Sequence, residues 1–358
     1  MSPASQSPND KTSLINATIE SIVGIIEQPR EREILSRRFG LKGKKETLEQ
    51  IGERLDITRE RVRQLEKAAL IRLKIAAEKS EIENLPEVEK LIIRALAESG
   101  RIARTEVLAE KFIGEQPSEK ILLDFVFIGE VSNKLVTINE NDKYHSAIAN
   151  SSYGDERQIK SAIDEIVKTI KKNKSPISLD DLDEQFEYEH PSQIEALAGV
   201  SKLLATLNGM WGLAKWPSVN PKNIRDKIFV ILEASKKPLH FSEIAKSIRE
   251  GDFNRRNVTT QAIHNELIKD KRFILIGRGI YALEDWGYKQ GTVSDIIRSI
   301  LEEAGEPLFR DEIVKRVLDK RKVKETTVLL NLQSKPEFKR VAKSTYALAD
   351  QQTTEIKK

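Results

Sequence analysis

Thr47-Leu48-Glu49-Gln50-Ile51-Gly52, followed through Asp56-Ile57-Thr58 by Arg59-Glu60-Arg61-Val62-Arg63-Gln64-Leu65-Glu66, decides how this chain is read. Leu48, Ile51 and Leu55 recur at helical spacing, and Thr47 is placed to cap that helix. Asp56-Ile57-Thr58 reads as a tight turn. Val62, Leu65, Ala69 and Leu73 then line the inner face of a second helix that starts at Thr58. The pattern predicts two helices joined by a short turn, the second carrying long polar side chains near its N-terminus. Such a pair lays its second helix in a DNA major groove. Upstream, Ile34, Leu35 and Phe39 form another apolar stripe closed by Gly40, and Ile15, Ile19, Ile22, Val23, Ile25 and Ile26 make a supporting helix that ends near Gln28-Pro29.

Arg59, Glu60, Arg63 and Gln64 are expected on the outer face. An arginine fork matches guanine O6 and N7, a glutamate accepts from cytosine N4, and a glutamine pairs with adenine. The bland alternative is Glu60 pairing with Arg63 or Gln64 along a solvated helix. Arg30-Glu31-Arg32-Glu33-Ile34-Leu35, Arg38-Phe39-Gly40-Leu41 and the stretch above resemble region 4 of the sigma-70 family over about residues 12–79. That resemblance implies recognition of a promoter −35 element by Arg59, Glu60, Arg63 and Gln64. Arg38, Lys42, Lys44, Lys45, Thr47 and Arg61 would then hold phosphates, and the RNA polymerase core would be a partner. Lys67-Ala68 departs from the family pattern. Nothing in the chain resembles the aromatic-rich region that melts promoters.

The charge distribution agrees with this reading. The 358-residue chain has a net charge of +4, but residues 30–79 hold 15 Lys and Arg against 9 Asp and Glu, residues 1–29 one against three, and residues 80–358 equal numbers. The positive surplus therefore lies on the helix-turn-helix, where phosphates would be met. With 39% hydrophobic and 32% charged residues, the composition describes a well-solvated chain of several small cores. It holds no cysteine, so disulfides and thiolate zinc sites are excluded. No apolar run approaches membrane length. The Ser- and Pro-rich residues 1–10 read as disordered and lack a signal-peptide layout. A cytoplasmic, nucleoid-associated protein is expected.

The remainder repeats. Lys237-Pro238-Leu239-His240-Phe241-Ser242-Glu243-Ile244 matches Glu306-Pro307-Leu308-Phe309-Arg310-Asp311-Glu312-Ile313, and Tyr281-Ala282-Leu283 matches Tyr346-Ala347-Leu348. Weaker copies open at Ser175-Pro176-Ile177-Ser178 and near Arg101-Ile102-Ala103, the latter ending in Lys134-Leu135-Val136-Thr137. Each reads helix, short strand, helix, helix, hairpin, which is a winged helix. Gly277-Arg278-Gly279 is the hairpin turn of the best copy. The pattern resembles the HARE-type helix-turn-helix family, whose members include RNA polymerase delta subunits and DNA-associated modules, so DNA or polymerase contact is implied. Arg255, Arg256, His264, Asn265 and Arg278 are the secondary DNA-contact candidates.

The expected fold is mainly α: a helix-turn-helix at 11–80, then tandem winged helices with small hairpin wings at 86–148, 157–217, 222–285 and 290–350, and a tail at 351–358. His145, His190, His240 and His264 show no metal-ligand spacing. Pro86-Glu87-Val88-Glu89-Lys90 distantly resembles a nuclease motif but lacks a partner aspartate on a strand. No enzyme, cofactor, metal, membrane or small-molecule substrate is expected. The expected function is promoter-linked duplex DNA binding in transcription initiation or its regulation. Two rivals stand beside it: a delta-like polymerase accessory subunit, and the DNA-recognition component of a defence or modification system.

Overall fold

Caps mark where the first four helices begin and end. In the computed structural model, which describes residues 8–188, 190, 192–251, 258–288 and 291–350, α1 (Pro8–Ile25) opens the chain and α2 (Pro29–Arg38) follows with proline in its first turn. Gly40 ends α2 at φ +68°, with Leu41 N bonding Ser36 O at 2.9 Å and Gly40 N bonding Arg37 O at 3.3 Å. Thr47 and Gln50 form a reciprocal capping box on α3 (Leu48–Leu55), and Thr58 caps α4 (Arg59–Glu78). α1 begins at Pro8, inside the segment read from sequence as disordered.

Four repeats then follow the same order of elements. The first is α5 (Leu85–Ala97), β1 (Ile102–Arg104), α6 (Thr105–Ile113), α7 (Glu119–Val131), β2 (Leu135–Ile138) and β3 (Ala147–Asn150). The second is α8 (Glu156–Asn173), β4 (Ile177–Ser178), α9 (Leu179–Asp183), α10 (Gln193–Val200), β5 (Leu204–Leu207) and β6 (Met210–Leu213). The third is α11 (Ile224–Ser235), β7 (Leu239–His240), α12 (Phe241–Glu250), α13 (Thr260–Lys269), β8 (Phe273–Gly277) and β9 (Ile280–Leu283). The fourth is α14 (Val293–Ala304), β10 (Leu308–Phe309), α15 (Arg310–Lys320), α16 (Glu325–Ser334), β11 (Phe338–Ala342) and β12 (Thr345–Leu348). Each makes one three-stranded antiparallel sheet in which the last strand lies between the other two. The first repeat closes at Asn150, later than expected, because a long loop separates β2 from β3.

The cores do not follow the expected boundaries. Ile15, Ile19 and Ile22 of α1, Leu35 and Phe39 of the α2 end, and Ala69, Leu73 and Ala76 of α4 join one buried cluster with Val88, Ile92, Phe112, Phe125, Phe127 and Ile128. Phe39 and Phe127 lie 4.8 Å apart between ring centroids. Segments 11–80 and 86–148 therefore share a core. A second cluster joins Ile102, Tyr144 and Ala149 of the first repeat to Ile163, Ile166, Leu197 and Trp211 of the second. Residues up to Val219 form one compact unit, and those from Asn220 onward form another. In that second unit the third and fourth repeats keep separate cores, around Ile228, Ile244 and Tyr281 and around Ile297, Ile313 and Tyr346.

This sharing follows from composition. Leu122, Leu123, Phe125, Phe127, Ile128 and Val131 crowd α7, leaving Glu119 and Lys120 as its exposed residues. A helix apolar on most sides must be covered on most sides. One carboxylate is caught inside: Asp124 is fully buried, with Oδ2 accepting from Lys120 Nζ at 2.7 Å and Oδ1 unpartnered among the described residues. Burial pushes its pKa up against the opposing Lys120 charge. An acid whose folded pKa is raised binds its proton more readily when folded, so stability falls as pH rises from the ordinary aspartate value through the raised one. Asp124→Asn is expected to flatten that fall, read as urea midpoints of the two proteins across a pH series.

Candidate nucleic-acid interface

The helix-turn-helix has its own small core. Ile34, Ile51 and Val62 are buried together, with Leu48, Leu55, Ile57 and Leu65 packed around them. α4 thus rests its first turns on this cluster and its later turns on the larger one. At 20 residues it is about 30 Å long, so two cores fix its direction. Asp56 turns the chain with φ 51° and ψ 51°, a left-handed conformation that Asp tolerates. Arg30 donates to Leu55 O at 2.7 Å, satisfying a terminal carbonyl of α3.

Gly52 sets the closeness of that turn. A Cβ there would meet Ile57 O at 2.7 Å and Arg59 N at 3.4 Å, both backbone. Gly52→Ala is expected to push α4 off α3 at a cost on the order of 1 kcal/mol, the lower end of overpacking costs. Differential scanning calorimetry would read the loss. An unchanged melting temperature would show that the turn relaxes freely.

Arg59, Glu60, Arg63 and Gln64 are all exposed, on an arc of about 140° at 100° per residue. Val62, Ala69 and Leu73 are buried on the other side. The structure brings the four together, with Glu60 and Arg63 paired to each other and Gln64 held by Arg61. Arg63 grips Glu60 bidentately at 2.9 and 2.7 Å, and Arg61 donates to Gln64 at 3.3 Å. The hydrogen bond from Arg63 holds the Glu60 carboxyl below the usual glutamate range, and Glu60 in turn raises Arg63. Both side chains are more than half exposed, so the pair is screened and exchangeable.

The expected phosphate holders separate into two kinds. Lys42, Lys44 and Lys45 are exposed in the loop after α2, and Arg61 is exposed on α4. Although the Lys45 side chain reaches solvent, partial desolvation by the surrounding protein, with the Arg38 charge beside it, lowers its pKa. Thr47 is engaged as the α3 cap, and Arg38 bonds Glu66 at 3.2 Å. Arg32 donates to Ile26 O, Arg37 bridges Glu33 and Glu46, and Arg72 pairs with Glu31. These pairings consume much of the basic content of residues 30–79 and leave the outward positive charge on α4 and the 42–45 loop. Lys67, set apart in sequence as a departure, is exposed one turn beyond Arg63 on the same arc. Its i+4 spacing from Arg63 was the signal for it.

The secondary candidates are scattered. Arg255 and Arg256 lie outside the described residues. His264 is half-buried, 5.0 Å from Phe241 and 6.3 Å from Tyr281 between ring centroids. Asn265 accepts from Gln261 at 3.2 Å, and Arg278 is exposed in the β8–β9 turn. His240 caps α12, its Nδ1 accepting from Ser242 N at 3.3 Å. The faint nuclease pattern is structural: Glu89 is buried and accepts from Ser132 at 2.6 Å and Lys134 at 2.7 Å. Among the described residues no cluster of three or more His, Asp or Glu is placed to hold a metal. No described helix is long and apolar enough to cross a membrane.

Residues 28–74 match the family described as Sigma-70, region 4. The chain is 40% identical over 72 residues to the RNA polymerase sigma factor SigA of Microcystis aeruginosa, a match covering 19% of this chain and 17% of that protein. The SigA of Synechocystis sp. shows the same identity and coverage, and that of Nostoc sp. is 40% identical over 72 residues, 18% of its length. The chain thus spans less than a fifth of the curated relatives it matches. A sigma region 4 domain is present at 28–74, on the segment that carries the exposed Arg59, Glu60, Arg63 and Gln64.

Proposed function

We propose that residues 28–74 read a −35-like element of duplex promoter DNA through the major groove, and that the chain acts in transcription initiation or its regulation with RNA polymerase. The observation that carries this reading is the exposed arc of Arg59, Glu60, Arg63 and Gln64 at the N-terminal end of α4, within the segment matching sigma region 4. Arg63 addresses a guanine edge and Glu60 a cytosine amino group. Lys42, Lys44, Arg61 and Lys67 anchor flanking phosphates without reading sequence. No catalytic step belongs to this reading.

The four repeats are read as winged helices of the HARE type, supported by the element order and the sheets with the last strand central. Their roles divide. α7 and α10, the third helices of the first two repeats, are packed into cores, so the first repeat serves as a buttress for α4 and the second backs the first. α13 and α16 retain exposed residues and are free to meet a partner.

The reading is tested by selecting bound duplexes from a randomised pool with the full-length chain and with Arg63→Ala. Enrichment of a −35-like motif that disappears in the variant is expected. Absence of enrichment at low and at physiological salt would discard it in favour of polymerase docking.

A further inference from the structure

The third and fourth repeats are built in the same register, yet differ sharply on the two outer strands of their sheets. His240 and Phe309 hold the same place, each at the end of a two-residue strand pairing with the central strand, opposite Ile280 and Thr345 respectively. His240 caps its helix and packs 4.4 Å from Phe241 between ring centroids. Phe309 stands at the N-cap of α15, makes no capping bond, and is 50% exposed. A phenylalanine there offers no acceptor to the helix amides and leaves a ring in water. Local structure gives no reason for it.

The strand on the far side of the central one changes in the same direction. β8 and β11 pair identically with their central strands, including a bulge at the same place. Where β8 has Ile274 and Leu275, β11 has Lys339 and Arg340. Ile274 is buried in a satellite cluster with Ile276 and Ala282, against which Trp286 and Tyr288 pack. Lys339 and Arg340 are exposed, as is Lys343 in the turn, and none of the three makes an ion pair among the described residues. That turn abuts Phe309: Arg310 N donates to Ser344 O at 2.7 Å.

We propose that the sheet of the fourth repeat binds single-stranded nucleic acid, with a base stacked on Phe309 and flanking phosphates held by Lys339, which the register places on the same face of the sheet, and by Lys343 in the turn. An exposed aromatic ring among unpaired cations supplies the two interactions that sequence-tolerant strand binding uses. A closed duplex keeps its base faces stacked on one another and offers the ring nothing. The site is independent of the α4 reader and lies in the other compact unit.

The test is fluorescence anisotropy of the full-length chain with labelled oligo-dT and oligo-rU of about a dozen nucleotides, within the usual site size. Phe309→Ala is expected to weaken binding roughly 5- to 150-fold, the equivalent of one stacked base, while Phe309→Trp retains it. Lys339→Gln and Lys343→Gln are each expected to lower the salt slope by about 0.7. Similar affinity for both oligomers places recognition on base faces and phosphates; a preference for one names the strand type. Phe309→Ala should leave binding to a −35-like duplex unchanged, whereas Arg63→Ala should lower that and spare the oligomers, so the two readings fail separately. No oligomer binding, an unchanged affinity in Phe309→Ala with a native circular dichroism spectrum, or an equal loss on duplex would overturn the proposal.

Discussion

Phe127→Ala is expected to destabilise the N-terminal unit by about 3–5 kcal/mol, the usual range for deleting a fully buried aromatic ring. Phe127 is 0% exposed and its ring meets Phe39 at the end of α2. The vacated space therefore opens between the helix-turn-helix and the first repeat. Gly40 sits in the same seam, where an added Cβ would meet Leu123 of α7 at 2.7 Å. A loss of this size is a large fraction of the stability of an ordinary domain. Urea unfolding followed by tryptophan fluorescence (Trp211 and Trp216 lie in this unit) and by far-ultraviolet circular dichroism measures it. Both probes should register the loss, because β1 and β3 contribute residues to the core of α1 and to that of the second repeat. A loss below about 1 kcal/mol would mean that the helix-turn-helix folds independently of its neighbour.

Arg63→Ala is expected to lower affinity for a selected −35-like duplex by about 1–3 kcal/mol, or 5- to 150-fold, and to relax preference at one base pair. Binding to unrelated duplex should change little, since the proposed phosphate anchors are Lys42, Lys44, Arg61 and Lys67. Arg63→Lys should not restore discrimination, because an ammonium cannot reproduce the two-pronged donation of a guanidinium. Glu60 gives a second handle. In the free protein it occupies the Arg63 fork, so Glu60→Ala releases that fork while removing a cytosine reader. A double-mutant cycle on the selected duplex separates these effects: coupling shows that the pair acts as one unit, and additivity shows two independent contacts. Equal binding by Arg63→Ala and the parent across all duplexes would sink base reading by α4.

The helix-turn-helix was legible because its signals are local. Thr47, Gly40 and Thr58 act on backbone groups within a few residues, and Ile34, Ile51 and Val62 announce their burial through spacing. The exposed arc was legible for the same reason, since helix geometry alone puts Arg59, Glu60, Arg63 and Gln64 on one side. The repeats were legible as repeats, down to the hairpins of the third and fourth.

What sequence left open was everything that depends on which apolar faces meet. α1 reads as a support for the helix-turn-helix, yet its isoleucines pack with α5, α6 and α7; periodicity tells which face is buried but not against what. The segments at 11–80, 86–148 and 157–217 look like separate modules, yet the first two share one core and the last two share another. Charge counting likewise gave the sign of the segment's field without saying that Arg32, Arg37, Arg38 and Arg72 are taken up by neighbouring groups. The sequence by itself thus determined the helices, their caps and the identity of the outward side chains, because each is set by interactions within about a helical turn. The tertiary structure alone decided how the cores fuse, which third helices are covered and which cations face outward, because those follow from contacts between residues far apart in the chain.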